Sequence, residues 1–173
     1  MGEWFNVEKL YTGTFDSPVG LLCLAWTGRG LLRLDFGPQR IERLLGGGAF
    51  AAEDRELPPE WDGELRRYFG GEPMRFTIPL DLRGTAFERE VWAALQTIPY
   101  GRTKTYAKVA AQIGRPGAAR AVGGANGKNP VSVVVPCHRV VAANSLGGYG
   151  AGIGIKRALL DLEARGAAEG YVV

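Results

Sequence analysis

Short runs dominated by apolar residues, with few polar positions among them, fill the first part of the chain: "LYTGTF" (residues 10–15), "GLLCLAWT" (20–27) and "GLLRLDF" (30–36). Short runs rich in Leu, Tyr, Trp and Phe and bounded by turn residues predict strands. Asp16-Ser17-Pro18 and Gly28-Arg29-Gly30 are turn clusters between them, so a small antiparallel sheet is expected. The period then lengthens to that of helices around Ile41–Leu45 and Glu60–Phe69, and "MRFTIPLDL" (74–82) reads as extended. "TAFERE" pairs Thr85 with Glu88 three positions on, a capping box. It opens a helix whose Phe87, Val91, Trp92, Leu95 and Ile98 share one face, and Pro99-Tyr100-Gly101 stops it. "TKTYAKVAAQIG" and "AARAVGGAN" are short helices on either side of an "RPG" turn, the outline of a helix-turn-helix or of ordinary core packing. Val131, Val133, Val134 and Val135 read as a fully buried strand, ended by Pro136, which has no backbone donor.

At 173 residues, 46% hydrophobic and 23% charged, the chain is expected to be globular, as one ordinary domain or two small ones. A boundary near Leu82–Gly84, where pattern and charge both change, divides it into residues 1–82 and 83–173. No apolar run approaches a membrane span, and "MGEWFNVEKLY" has neither a basic nor an apolar leader region. No membrane partner is therefore expected. Two cysteines 114 positions apart make no disulfide framework, so an intracellular, cytoplasmic setting is the default. One histidine and no paired-cysteine motif leave no basis for a zinc site, and neither metal nor cofactor is expected.

The net charge of +3 hides an asymmetry. Residues 1–82 carry 9 Lys/Arg against 13 Asp/Glu, whereas residues 83–173 carry 12 against 5. No acid lies between Glu90 and Asp161, an interval holding nine Lys/Arg. A solvated face mixes both signs, so this stretch suggests a polyanionic partner, with a basic surface of no consequence as the alternative. "AARAVGGAN" offers mostly Ala and Gly where a major-groove reader presents Arg, Asn, Gln or Ser to base edges; Arg120 is its one long basic side chain. Small residues instead let a backbone come close to its neighbour, which suits sequence-independent contact in the minor groove. Arg120, Ala121, Gly123, the following Lys128 and, from the preceding helix, Tyr106 are the expected DNA-facing positions.

"NPVSVVVPCHRVV" (129–141) holds one of the two cysteines beside the only histidine. A cysteine hydrolase draws its histidine from a distant part of the chain. Along an extended strand, adjacent side chains also point to opposite faces, which argues against direct thiol–imidazole contact. A buried Cys next to a hydrogen-bonded His at a strand end is the plain structural alternative.

With "YAKVAAQIGRPGAARAVGGANGKNP" before it and "SLGGYGAGIGIKRALLDLE" after it, this stretch resembles the O6-alkylguanine-DNA alkyltransferase family over nearly all of residues 83–165; the first part resembles that family's N-terminal domain more loosely. The resemblance implies an α+β fold: a small ribonuclease-like N-terminal domain with an antiparallel sheet and helices, then a mostly helical winged helix-turn-helix domain. It implies a monomer that acts on double-stranded DNA and moves the alkyl group of O6-alkylguanine, and of O4-alkylthymine, irreversibly onto its own cysteine. Cys137 matches the acceptor and His138 the histidine that activates it through a water. Glu163 matches the carboxylate that orients the imidazole, Asn129 the asparagine that holds the active-site backbone, and Tyr106 the phenol near the guanine oxygen. Arg120 matches the arginine that enters the duplex where the base has left. Val140, Tyr149, Gly150 and Ala151 fall where the family forms its base pocket, and Lys156 matches a lysine near it. The chemistry agrees: a thiol must ionise to attack carbon, and the base must leave the stack to be reached.

Two departures from the family pattern concern the pocket. "VVAANSLGGY" is one residue short of the usual loop, and Gly-Ala-Gly follows Tyr149 where Ser- or Ala-Gly-Gly is usual. "GYGAGIG" lacks the spacing and the downstream acid of a phosphate-binding loop. The competing function class is a non-enzymatic winged-helix DNA-binding or damage-sensing protein; such relatives replace the cysteine that this chain keeps.

Overall fold

The computed structural model describes residues 7–170; Met1–Asn6, part of the stretch read for a leader, lie outside them. The three strand-like runs form β1 (Glu8–Ser17), β2 (Gly20–Thr27) and β3 (Gly30–Phe36), paired antiparallel in chain order. Gly20 and Gly30 end the two tight connections with φ of 121° and 146°, values that a side chain would oppose. A strand without an alternating signature, β4 (Phe50–Asp54), adds to β1 in parallel, giving the order β3-β2-β1-β4. "MRFTIPLDL" is extended, but it touches the sheet at one bridge only, Leu31 with Leu80.

β2 is covered on both faces, as its unbroken apolar run requires. Leu22, Leu24 and Trp26 enter the main core, whereas Cys23 and Ala25 point the other way with Leu10, Leu32 and Ile41. Helix α1 (Gln39–Gly46) covers this second face through Ile41. Cys23 is thus a small buried hydrophobe. On the first face lies α2 (Pro59–Phe69), which starts with Pro at its first turn and buries Trp61, Leu65, Tyr68 and Phe69.

The capping box forms: Thr85 Oγ1 accepts from the Glu88 N–H at 3.2 Å, and the Glu88 carboxylate accepts from the Thr85 N–H at 2.9 Å. It starts α3 (Ala86–Leu95), which ends three residues ahead of Ile98 and before Pro99. The helix-turn-helix outline is realised by α4 (Tyr106–Gln112), capped by the Thr105 hydroxyl, and α5 (Ala119–Gly127). Trp92 Nε1 donates to the Ala125 carbonyl at 2.9 Å and ties α5 to α3. Two-residue strands β5 (Lys104–Thr105) and β6 (Val140–Val141) pair in parallel, and the long helix α6 (Ile153–Glu169) closes the fold. Residues from both halves of the chain form one apolar cluster; Leu34 of β3 exchanges hydrogen bonds with Pro130 and Ser132.

The valine run is where the expectation fails. Residues 131–135 are buried, but they form turns and not a strand; Val131 makes a single bridge to Leu34. Val133 has φ of 71°, rare and strained for a β-branched residue, and the Val134 N–H bonds back to the Ser132 carbonyl in a positive-φ γ-turn. A second γ-turn spans Pro136 (φ −81°, ψ 64°), closed by the Cys137 N–H on the Val135 carbonyl at 2.8 Å. An apolar run reports burial; it cannot report whether a ladder partner exists. Here the Asn129 carboxamide stands in for one, donating to the Val135 carbonyl at 2.8 Å and accepting from the Val131 N–H at 3.0 Å.

Candidate active site

The two γ-turns deliver Cys137 to the start of a short 3-10 helix, Cys137–Arg139. The strand geometry used above to separate Cys137 from His138 therefore does not apply. In a 3-10 turn, successive side chains diverge by about 120°, and the two residues do face different surroundings. Cys137 is 5% exposed and borders a cavity of about 570 Å³. His138 is fully buried behind it.

His138 Nε2 lies 2.7 Å from Glu163 Oε1 on α6. Burial pushes Glu163 up, but hydrogen bonds and charge from His138 and Arg139 outweigh it and hold the carboxyl at about 2. An ionised carboxylate only accepts, so Nε2 carries the ring's proton and Nδ1 keeps its lone pair. Nδ1 is buried and has no hydrogen-bond partner among the described residues. Burial holds His138 below its usual value against the pull of Glu163, so the ring is a neutral base near neutrality.

Burial pushes the Cys137 thiol up, while the nearby Asn129 amide, Tyr149 phenol and Lys156 ammonium favour its thiolate and pull it back. Asn129 thus both braces the turn and faces the sulfur. Lys156 is fully buried on α6 and does not line the cavity; its ammonium donates to the Val140 carbonyl at 2.6 Å and the Gly148 carbonyl at 3.2 Å. It pins the loop that carries Tyr149 to the strand that follows the cysteine. Val140, also expected in the pocket, is fully buried behind it and shares no surface with the cavity.

Tyr149, Gly150 and Ala151 do line the cavity, as does Tyr106 from the first turn of α4. The Tyr106 ring lies against Gly123, and its hydroxyl would stand 3.0 Å from a side chain at Gly147. Burial raises Tyr106, as does negative charge on Cys137, so its hydroxyl remains a donor beside a thiolate. On α5, Arg120 and Ala121 are exposed, and a side chain at Gly124 or Gly127 would meet nothing within 4 Å. Internal packing therefore does not require these small residues; they bare the helix backbone to the outside, next to the cavity mouth. Lys128 is exposed as well, though its ammonium sits 2.9 Å from Glu88.

The acid-free interval is only partly a surface. Arg139 and Lys156 are buried, Arg115 pairs with Glu90 and Lys128 with Glu88. Arg102, Lys104, Lys108, Arg120 and Arg157 have no carboxylate partner among the described residues.

Several site residues were not singled out in the sequence. Arg139 pairs with Glu163, and Asn126 of α5 donates to the Cys137 carbonyl at 3.4 Å. Asp35, Arg40 and Arg43 reach the cavity from the first half of the chain, and Tyr68 reaches Glu163. Only Asn126 had a signal, a polar residue four positions after Val122 on the apolar face of its helix. No group of three or more His, Cys, Asp or Glu capable of holding a metal occurs among the described residues.

Two family models match the chain: the ribonuclease-like domain of 6-O-methylguanine DNA methyltransferase over residues 10–82, and its DNA binding domain over residues 86–165. The methylated-DNA–protein-cysteine methyltransferase of Mycobacterium tuberculosis is 50% identical over 157 residues, covering 87% of this chain and 90% of that protein. The inducible enzyme of that name from Bacillus subtilis is 46% identical over 154 residues, covering 84% and 86%. Among solved structures, Mycobacterium tuberculosis OGT in complex with DNA is similar with a TM-score of 0.78 at 45% identity, covering 90% of this chain and 94% of that one.

Proposed function

The chain belongs to the 6-O-methylguanine DNA methyltransferase family, and from that membership and the geometry around Cys137 we infer that it is a direct-reversal DNA repair protein. It binds DNA and acts as a methylated-DNA–protein-cysteine methyltransferase, taking the alkyl group of O6-alkylguanine, and of O4-alkylthymine, onto Cys137. The observation that carries this reading is a single cysteine on a cavity wall, with an oriented neutral imidazole behind it and a bare-backboned helix beside the cavity mouth.

The duplex approaches α5 through its minor groove, where Ala121, Gly123 and Gly124 allow close contact without reading bases. Arg120 fills the place of the extruded nucleotide, and the exposed Lys128 adds a phosphate contact by turning away from its largely covered Glu88 partner. In the cavity the alkylated base lies between Tyr106 and the Tyr149–Ala151 loop, with its alkyl carbon toward Cys137. The thiol proton passes through a water to His138 Nδ1, and Glu163 stabilises the imidazolium that results. Sulfur then forms its bond to the alkyl carbon as the carbon–O6 bond breaks and leaves its electron pair on O6. The Tyr106 hydroxyl meets that charge, and the proton taken from Cys137 balances the neutral guanine product.

The thioether has no leaving group, and nothing in the site offers a second thiol to remove the alkyl group, so each protein reacts once. Intact-protein mass after incubation with a methylguanine duplex tests this. One added methylene on a peptide containing Cys137, one equivalent per chain, is expected; Cys137→Ala should lose the gain and keep DNA binding. Product in excess of protein, or an unmodified Cys137, would overturn the reading.

A further inference from the structure

The second half of the chain does not build the relay behind Cys137 alone. Tyr68, near the end of α2, is fully buried, and its hydroxyl donates to Glu163 Oε1 at 2.7 Å. That same oxygen accepts His138 Nε2, which lies 3.4 Å from the Tyr68 oxygen. The backbone brings these groups together. Three residues after Tyr68 the chain turns through Gly71 at φ 87°. Three residues after Glu163 stands Gly166, where a β-carbon would fall on the Gly71 carbonyl oxygen. Hydrogen alone at Gly166 lets α6 seat against the end of α2, one helical turn from the Tyr68–Glu163 contact. Burial, and then the Glu163 charge, drive the Tyr68 phenol well up, so it can only donate.

We propose that Tyr68 is a positioning residue for alkyl transfer, through whose hydroxyl the first half of the chain sets how Glu163 holds His138. The proposal rests on the alkyl-transfer reading of the site. The groups that face the imidazole are Glu163 and Lys156 from α6, Arg139 from its own 3-10 helix and Tyr68 from α2; Tyr100 lies over Arg139. Glu163 divides its charge among Tyr68, His138, Arg139 and the Gly101 N–H. Tyr68 draws part of that charge away from the ring. It also fills the space into which the ring would swing off Oε1. Without the hydroxyl, Glu163 favours the imidazolium more strongly and the ring is less fixed.

Tyr68→Phe removes the hydroxyl and keeps the ring packing. His138 is the only histidine, so isotope-labelled histidine gives nitrogen NMR signals from this ring alone. In the native protein the signals should show Nε2 protonated and Nδ1 bare. In Tyr68→Phe the titration midpoint should move up, and fluorotyrosine at position 68, a stronger donor, should move it down. Single-turnover transfer by Tyr68→Phe should slow roughly tenfold, with the acid limb of its pH profile moved up and DNA affinity unchanged. An unmoved His138 titration with an unmoved profile overturns the proposal, even if transfer slows. The titration is read without substrate, so a native protein that gained no alkyl mass would refute the function and leave this measurement intact.

Discussion

Arg139 and Glu163 pair side-on inside the protein, with Nε 2.9 Å from one carboxylate oxygen and Nη2 3.0 Å from the other. Their side chains are 8% and 0% exposed, so water screens neither charge. A buried pair of this kind is strongly destabilised when one member is lost, because the other is left charged and unpaired. Glu163→Gln should cost about 3–5 kcal/mol in urea unfolding; a cost near zero would show that Arg139 finds other partners, beyond the Ile98 carbonyl it already meets at 2.7 Å.

The same groups set an acid limit. Burial holds His138 below its ordinary 6.5, so the unfolded chain binds a proton that the folded one refuses once the pH falls through that value. Glu163 sits at about 2 against an ordinary 4.5, so its contribution is complete above 4.5 and is lost as the pH falls toward 2. Both act in one direction. The melting temperature should fall as the pH is lowered from about 6.5, in a window set by His138 and then one set by Glu163. A curve as steep below pH 4.5 in Glu163→Gln as in the native protein would assign the lower step to other carboxylates.

Arg120 stands exposed on α5, without a carboxylate partner among the described residues, beside glycines that leave the helix backbone bare. Its proposed work is to hold the duplex open. Arg120→Ala should slow transfer from duplex DNA far more than from the free alkylated base, which needs no extrusion. Equal slowing of both would contradict that role. The salt dependence of binding should stay steep, because the other exposed cations remain.

Ala151 lines the cavity one residue before Gly152, which holds φ of 104°. The β-carbon at 151 narrows the space for a bulky alkyl group, and Lys156 restrains the same loop through the Gly148 carbonyl. Overpacking of one such group costs about 1–3 kcal/mol. Ala151→Gly should therefore raise the benzyl-to-methyl rate ratio by roughly ten- to a hundredfold. An unchanged ratio in single-turnover assays would exclude Ala151 as the element that shapes the pocket.

Gly166→Ala places a methyl group on the Gly71 carbonyl oxygen and near the Tyr100 hydroxyl. Backbone cannot rotate away as a side chain can, so α6 must shift. The variant should lose at least about 1–3 kcal/mol of stability. Its transfer should also slow, because Glu163 moves with the helix. Full activity with lowered stability would separate the helix seat from the relay.

Local signals lay where local forces decide. Apolar runs set between turn clusters marked β1 to β3, and Thr85 with Glu88 marked the start of α3, because turns and helix caps are settled within a few residues. The residues proposed to react stand together in the sequence as well, since "PCHRV" places Cys137 and His138 side by side in the chain. Other features depended on contacts between distant segments. β4 has no alternation because its exposed edge residues need none, and its place is set by backbone pairing with β1. The valines at 131–135 promised burial and gave no sign of shape; Leu34, from the far end of the chain, and the neighbouring Asn129 hold them in the turns that present Cys137. The family resemblance puts Lys156 and Val140 at or near the pocket, yet they support it from behind, because α6 and β6 bury both side chains away from the cavity. Tyr68 is 95 residues from Glu163 in the chain, and no spacing rule joins them. Packing of α6 against the end of α2 does, because a buried carboxylate gathers whatever donors the fold brings within reach.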